Sequence, residues 1–440
     1  MTSGPIVRIA PDTYSIDDPD SVRILYGHGN GFIKSKWYTA SGNPYIPDLF
    51  TTRDPTLHRN IRKKVASLYA TSHLLRMEPI IDDCIDLLVS RFAEVADKRT
   101  QINLQHWMQC YAFDVIGYIA VGKRFGFLDK GEDTLGIFPS LHGYLKYCAT
   151  MGVYSEFHSL IYNIINTVSS GGIGEIVQFS KREIDKRLLI EAQGKSEIDR
   201  DMLSEVLQLH EANPQRVTMI DIMSICVTNI GAGSDTTSIS LTSVLYHLIR
   251  NPLCLEKLRA EIDQHFSTNV SGHIKFADAQ KLPYLQACIK ESLRVHPATG
   301  LPLGRVVPKG GVTVADTFFP EGTTLGVNTW VAHANASVFG PDALSFRPER
   351  WLDSSKEELK AMDNYFLAFG QGSRTCIGKN ISLVEMTKLI PILVRNFDFR
   401  LTGPDILKNG LQCENVWFVK QNNIICDIQH RSTLKHSKGE

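Results

Sequence analysis

Thr218 to Arg250 reads as one helix of about 32 residues, roughly 48 Å long, enough to cross a whole globule of this size. Thr218-x-x-Asp221 fits an N-terminal capping box, with Asp in place of the usual Glu. Asn251-Pro252 stops the far end. A fold that holds such a rod must pack its other elements around it. The middle of the rod is unlike a core helix. It runs Gly231-Ala232-Gly233-Ser234-Asp235-Thr236-Thr237-Ser238. Each glycine costs about 1 kcal/mol against alanine in a helix interior. Ser, Asp and Thr compete there for backbone hydrogen bonds. A ligand pressed against the helix, with a local opening of the backbone ladder, accounts for both the glycines and the hydroxyls.

A second stretch supplies the opposite wall. Phe369-Gly370-Gln371-Gly372-Ser373-Arg374-Thr375-Cys376-Ile377-Gly378 places a thiol at the end of a glycine-rich turn. The glycines permit φ > 0 and let a flat ligand lie close to the main chain. Arg374 supplies a fixed cation that can pair with a carboxylate. Asn380 to Val394 reads as a helix, and a helix N-terminus beside a thiol favours the metal-binding thiolate. The ligand these features suit is a haem, with Cys376 as its axial ligand.

The overall composition excludes other classes. Lys+Arg and Asp+Glu are both 47, so the basic excess usual in a nucleic-acid binder is missing. The nine cysteines are scattered, with no C-x-x-C pair. That is neither a disulfide framework nor a zinc ribbon, and it fits a reducing, intracellular compartment. The Met-Thr-Ser-Gly-Pro start shows no signal peptide, and no run of about 18 apolar residues predicts a membrane anchor.

The remaining pattern is mainly helical with a small β-rich lobe. Ile6–Ile9 predicts a strand and Asp18–Tyr26 a short helix. Helical patterns follow over Pro55–Leu68, Met77–Asp97, Asn103–Val121, Gly174–Leu189, Asp201–Glu211 and 284–296. Strands are predicted at Val312–Val314, Thr323–Val327, 397–401 and 415–428. The tail from Arg431 is polar and is expected to be disordered, leaving 1–430 as a single domain.

These stretches together resemble the cytochrome P450 family, the haem-thiolate monooxygenases. Phe369, Gly372, Arg374, Cys376 and Gly378 fit every fixed position of the family signature F-x-x-G-x-R-x-C-x-G. Ala232-Gly233-x-Asp235-Thr236-Thr237 fits the oxygen-activation motif. Glu291-x-x-Arg294, with Arg350 in Pro348-Glu349-Arg350-Trp351, fits the family's buried charge triad. Four motifs in order carry far more weight than one. Gly4–Pro11, Tyr26–Gly29 and His296–Arg305 resemble the fungal pisatin demethylase-like group, which acts on lipophilic natural products. Members normally begin with a membrane helix and sit on the endoplasmic reticulum; this chain starts at the strand that follows.

The resemblance implies a haem b cofactor and a reaction in which one oxygen atom of O2 enters a small lipophilic substrate. It implies Cys376 as the iron ligand, with Phe369, Gly378 and Ala232 beside the macrocycle. Asp235 and Thr236 take the catalytic proton-delivery roles. His58 and Arg62, four apart on one helix face, are expected to bind the haem propionates together with Arg305 and Arg374. Substrate contacts are expected from the 27–50 loop, residues near 150–170, the Ala232 turn, Ala298–Leu303 and 412–417. NADPH electrons would come through a separate cytochrome P450 reductase, with cytochrome b5 as a second candidate donor. The reductase would dock over the Cys376 side of a monomer, where Arg374, Lys379 and Lys388 offer positive charge. Two rival readings stay open. One is an O2-independent isomerase or dehydratase, though such relatives often lose the acid–alcohol pair. The other is a non-catalytic haem binder impaired by the shortened N-terminus.

Overall fold

The long helix forms as the sequence dictates. In the computed structural model, which describes residues 4–168, 173–193, 201–266 and 273–432, it spans Met219–Arg250. Thr218 closes the capping box: its Oγ1 accepts from the Asp221 amide at 3.2 Å, and its own amide donates to Asp221 Oδ2 at 2.8 Å. The expected opening of the ladder is not there; the helix is continuous through 231–238. Several of its hydroxyls instead bond back to carbonyls of the preceding turn, while Thr237 Oγ1 pairs with Ser382 Oγ at 2.8 Å. Thr236 Oγ1 donates to Ala232 O and Ser240 Oγ to Thr236 O, each at 2.8 Å. That geometry satisfies the side chains without displacing a backbone bond.

The helix Leu104–Val121 packs along it. Nearly all of its residues are buried, so it is enclosed all round rather than amphipathic. Gly233 allows this approach, since a Cβ there would press on Ile116 at 2.9 Å. Glu78–Lys98, Pro283–Val295 and Lys379–Asn396 complete the helical layer around the rod. Among the described residues no helix is long and apolar enough to cross a membrane.

The β-structure lies at the rim. Five short strands pair in the order Ile6–Ala10, Thr13–Ile16, Thr324–Gly326, Arg305–Val306, Ile33–Lys34. All neighbours are antiparallel except Thr13–Ile16 with Thr324–Gly326. This sheet sets Lys34 directly opposite Arg305. The expected strand 415–428 is split. Trp417 at φ 86° turns Cys413–Val416 back onto Phe418–Gln421, and Asn423 at φ 51° precedes Ile425–His430. Most of the polar tail lies outside the described residues.

Candidate active site

The Cys376 loop is fixed by local geometry first. Gly370 and Gly372 both adopt φ 67°, as the sequence requires. At Gly372 a side chain would also collide with the Tyr26 carbonyl. The Cys376 amide donates to Phe369 O at 2.9 Å, closing the turn. Gly378 has an ordinary φ of −80°, and a Cβ there would meet nothing within 4 Å. It leaves open space in the cavity wall, not a special turn.

The loop faces a cavity of about 1380 Å³ that runs between it and the long helix. Cys376, Phe369 and Gly378 line one side; Ala232, Gly233 and Thr236 line the other. The thiol lies deep in the protein but is open to this space. Burial raises its pKa, outweighing the Gly378 amide, the Arg62 charge and the Lys379 amide, which pull it down. The amides at the helix N-terminus therefore act in the expected direction, but burial outweighs them.

One end of the cavity gathers basic side chains. His58, Arg62, Arg305 and Arg374 all line it, and so does Lys34, which the sequence did not single out. The three arginines and Lys34 each donate to a neutral carbonyl, not to a carboxylate. Arg62 donates to Thr375 O at 2.9 Å, Arg374 to Thr52 O at 3.0 Å, Arg305 to Gly304 O at 3.0 Å and Lys34 to Phe50 O at 2.5 Å. The crowding of basic groups shows in their proton affinities. Burial and then Arg305 lower Arg374 to about 10. Burial, Arg374, Lys34 and Arg62 lower His58 to about 3. Lys34 is pushed well below its usual value by burial, then by Arg305 and Arg374. Like charges facing across a sheet are destabilising unless an anion joins them. A large open cavity, a thiol facing it and a rim of basic groups together fit a haem with two propionates.

The expected acid–alcohol pair is divided. Thr236 lines the cavity; Asp235 does not. The Asp235 side chain is 1% exposed and turned into the protein, where Oδ1 accepts from Gln109 Nε2 at 2.6 Å. Residues at successive helix positions point about 100° apart, so the two cannot share one face.

Behind the loop, the triad assembles. Glu291 receives Arg294 Nη2 and Nε at 2.7 and 2.8 Å, Trp351 Nε1 at 2.9 Å and Arg350 Nε at 3.4 Å. Asp342 joins it, accepting from Arg350 at 2.8 Å, a member the motif did not reveal. Arg294 continues outward to His333 O at 2.7 Å and Ser345 O at 2.9 Å. His333 returns Nδ1 to Arg294 O at 2.9 Å, and its Nε2 accepts from the Leu367 amide at 2.8 Å. The triad thus reaches the first residues of the Cys376 loop through a histidine that no short motif marks.

The docking charge needs correction. Lys388 is fully buried and pairs with Glu78 at 2.5 Å and Asp82 at 2.8 Å. Arg374 points into the cavity. Of the three named cations only Lys379 stays on the surface. Lys388 fell on the buried stripe of Lys379–Asn396, which its charge disguised. The expected substrate-contact segments do reach the cavity, through residues such as Ile46, Tyr162, Ala298, Leu303 and Trp417.

A mainly helical protein with a thiol-faced cavity, basic rim and buried Glu–Arg–Arg network is of the haem-thiolate class. The chain belongs to the cytochrome P450 family, whose model matches residues 2–422. Pisatin demethylase of Fusarium vanettenii is 40% identical over 424 residues, covering 95% of this chain and 80% of that protein. The cytochrome P450 monooxygenases pkfB and cicH of Emericella nidulans are 34% and 33% identical, over 99% and 98% of this chain and 86% and 87% of theirs. The protein is therefore an oxidoreductase of the cytochrome P450 monooxygenase class, a haem-iron family.

Proposed function

We propose that this enzyme inserts one atom of O2 into a small lipophilic metabolite of fungal secondary metabolism, by hydroxylation, epoxidation or O-demethylation. The observation that carries the reading is the 1380 Å³ cavity with Cys376 on one wall and Thr236 on the other. When bound, haem supplies the iron at which O2 is activated, with a thiolate ligand favouring O–O cleavage. Cys376 Sγ holds that iron. His58, Arg62, Arg305 and Arg374 hold the propionates, and Phe369, Gly378 and Ala232 leave room for the ring. Thr236 offers a hydroxyl at the opposite wall, able to steady a water and pass a proton. Glu291, Arg294 and Arg350 act structurally, keeping the loop in place.

The apolar wall supports a lipophilic substrate, and the demethylase named among the relatives makes a methylated compound a suitable first test. Electrons come from NADPH through a separate reductase inside the cell, with cytochrome b5 as a second candidate donor. Residues 1–430 work as one monomeric domain. The deciding experiment is the reduced-CO spectrum, followed by turnover with reductase and NADPH. Cys376→Ala should abolish the thiolate-type absorption; its survival would overturn the ligand assignment. Thr236→Ala should keep that absorption but release NADPH electrons as peroxide. Haem binding without product from any candidate substrate would favour a non-catalytic haem protein.

A further inference from the structure

The wall behind Asp235 is built from three segments distant in sequence. Gln109, 2% exposed, comes from the helix Leu104–Val121. Its Nε2 donates to Asp235 at 2.6 Å, and its Oε1 accepts from Lys420 Nζ at 3.0 Å. Gln105 Nε2 approaches the same Oε1 at 3.3 Å. Lys420 lies on Phe418–Gln421, and its register partner is Glu414. Glu414 is 41% exposed and carries Lys146 at 2.9 Å and His142 at 3.3 Å. A line of polar groups thus runs from the surface to a carboxylate that adjoins Thr236 in sequence.

The chemistry of this line is specific. A carboxylate so deep is costly unless donors reach it. Here the donor is an amide, not a cation. An ammonium on the amide oxygen polarises the group and strengthens the N–H on its other side. Lys420 therefore acts on Asp235 through Gln109. We propose that Gln109 and Lys420 are positioning residues for Asp235. They hold its carboxylate in the wall and set how readily protons from the Glu414 surface reach Thr236. This rests on the oxygen-activating reading of the cavity.

The test uses the holoprotein with reductase and NADPH and no substrate. Oxygen then leaves by two routes. NADPH, H+ and O2 give NADP+ and H2O2, or two NADPH, two H+ and O2 give two NADP+ and two waters. Only the second requires a further proton delivered within the cavity. Lys420→Met and Gln109→Leu should each raise the peroxide-to-water ratio about tenfold or more, the scale of a charge-assisted hydrogen bond. They should also change the ratio of NADPH consumption in H2O and D2O. Lys420→Arg, which keeps a cation at the amide oxygen, should restore both. In an Asp235→Asn background neither variant should add a further effect. Wild-type ratios in Lys420→Met with an intact reduced-CO spectrum would overturn the proposal, whether or not Gln109→Leu folds. So would a wild-type protein that releases peroxide alone. If Thr236→Ala also leaves the ratio unchanged, it is the oxygen-activating reading that falls.

Discussion

Glu291→Gln tests how the Cys376 loop is held. The change is isosteric, so it removes charge while leaving volume intact. Glu291 is fully buried and takes two bonds from Arg294, one from Arg350 and one from Trp351. With Gln, Arg294 and Arg350 share a single remaining carboxylate, that of Asp342, which contacts Arg350 alone of the two. Removing one partner of a buried ion pair costs about 3–5 kcal/mol, because an uncompensated charge remains. For 440 residues, at roughly 2.1 cal/mol/K per residue, the unfolding entropy is about 0.9 kcal/mol/K. The melting temperature should therefore fall by about 3–5 °C. Haem should be lost in parallel, since Arg294 and His333 tie this cluster to Leu367 at the start of the loop. The assay is thermal unfolding of the ferric holoprotein, followed by tryptophan fluorescence and Soret absorbance. Adding Arg350→Met to Glu291→Gln should recover part of the loss by removing the surplus cation. A Glu291→Gln protein with wild-type melting and haem retention would refute the argument.

Other perturbations have equally definite outcomes. Gly372→Ala should block haem incorporation, because the added methyl overlaps the Tyr26 carbonyl and the residue must hold φ 67°; haem content after expression reads this. Arg305→Leu should speed haem transfer to a scavenger protein about tenfold or more, the scale of a charge-assisted bond, and esterifying the propionates should erase the difference. Stability should fall on acidification. Burial lowers His333 and His247 from 6.5 to about 3, and His296 to about 4. Between those values and 6.5 the unfolded chain binds protons that the folded one refuses, so stability rises with pH across this window and is lost as pH falls through it. Urea midpoints at pH 7, 6 and 5 should decline, and His333→Gln should flatten the decline; a flat wild-type profile would contradict the burial argument.

Much of the site was legible because its signals are local. The i, i+3 spacing of Glu291 and Arg294 places both on one helix face, where they meet at 2.7 Å. His58 and Arg62 reach the cavity by the same logic. The glycines and hydroxyls of 231–238 predict an opening because they weaken a helix in isolation, but packing against the helix Leu104–Val121 keeps the ladder continuous. Lys388 looked like a surface cation because charge alone suggests exposure. It sits instead on the buried side of its helix, where Glu78 and Asp82 neutralise it.

The sequence by itself determined the capping box at Thr218, the left-handed glycines at 370 and 372, the thiol at 376 and the helical spacing of the basic and acidic pairs. Each follows from backbone sterics or from the 3.6-residue turn, which act over a few positions. Tertiary structure alone decided that Lys34 faces Arg305, that His333 links the triad to the Cys376 loop, and that Asp235 turns from the cavity toward Gln109 and Lys420. Those partners lie tens to hundreds of residues apart in the chain. Their meeting is set by how the layers pack around the central helix, through burial and desolvation that no short window of sequence records.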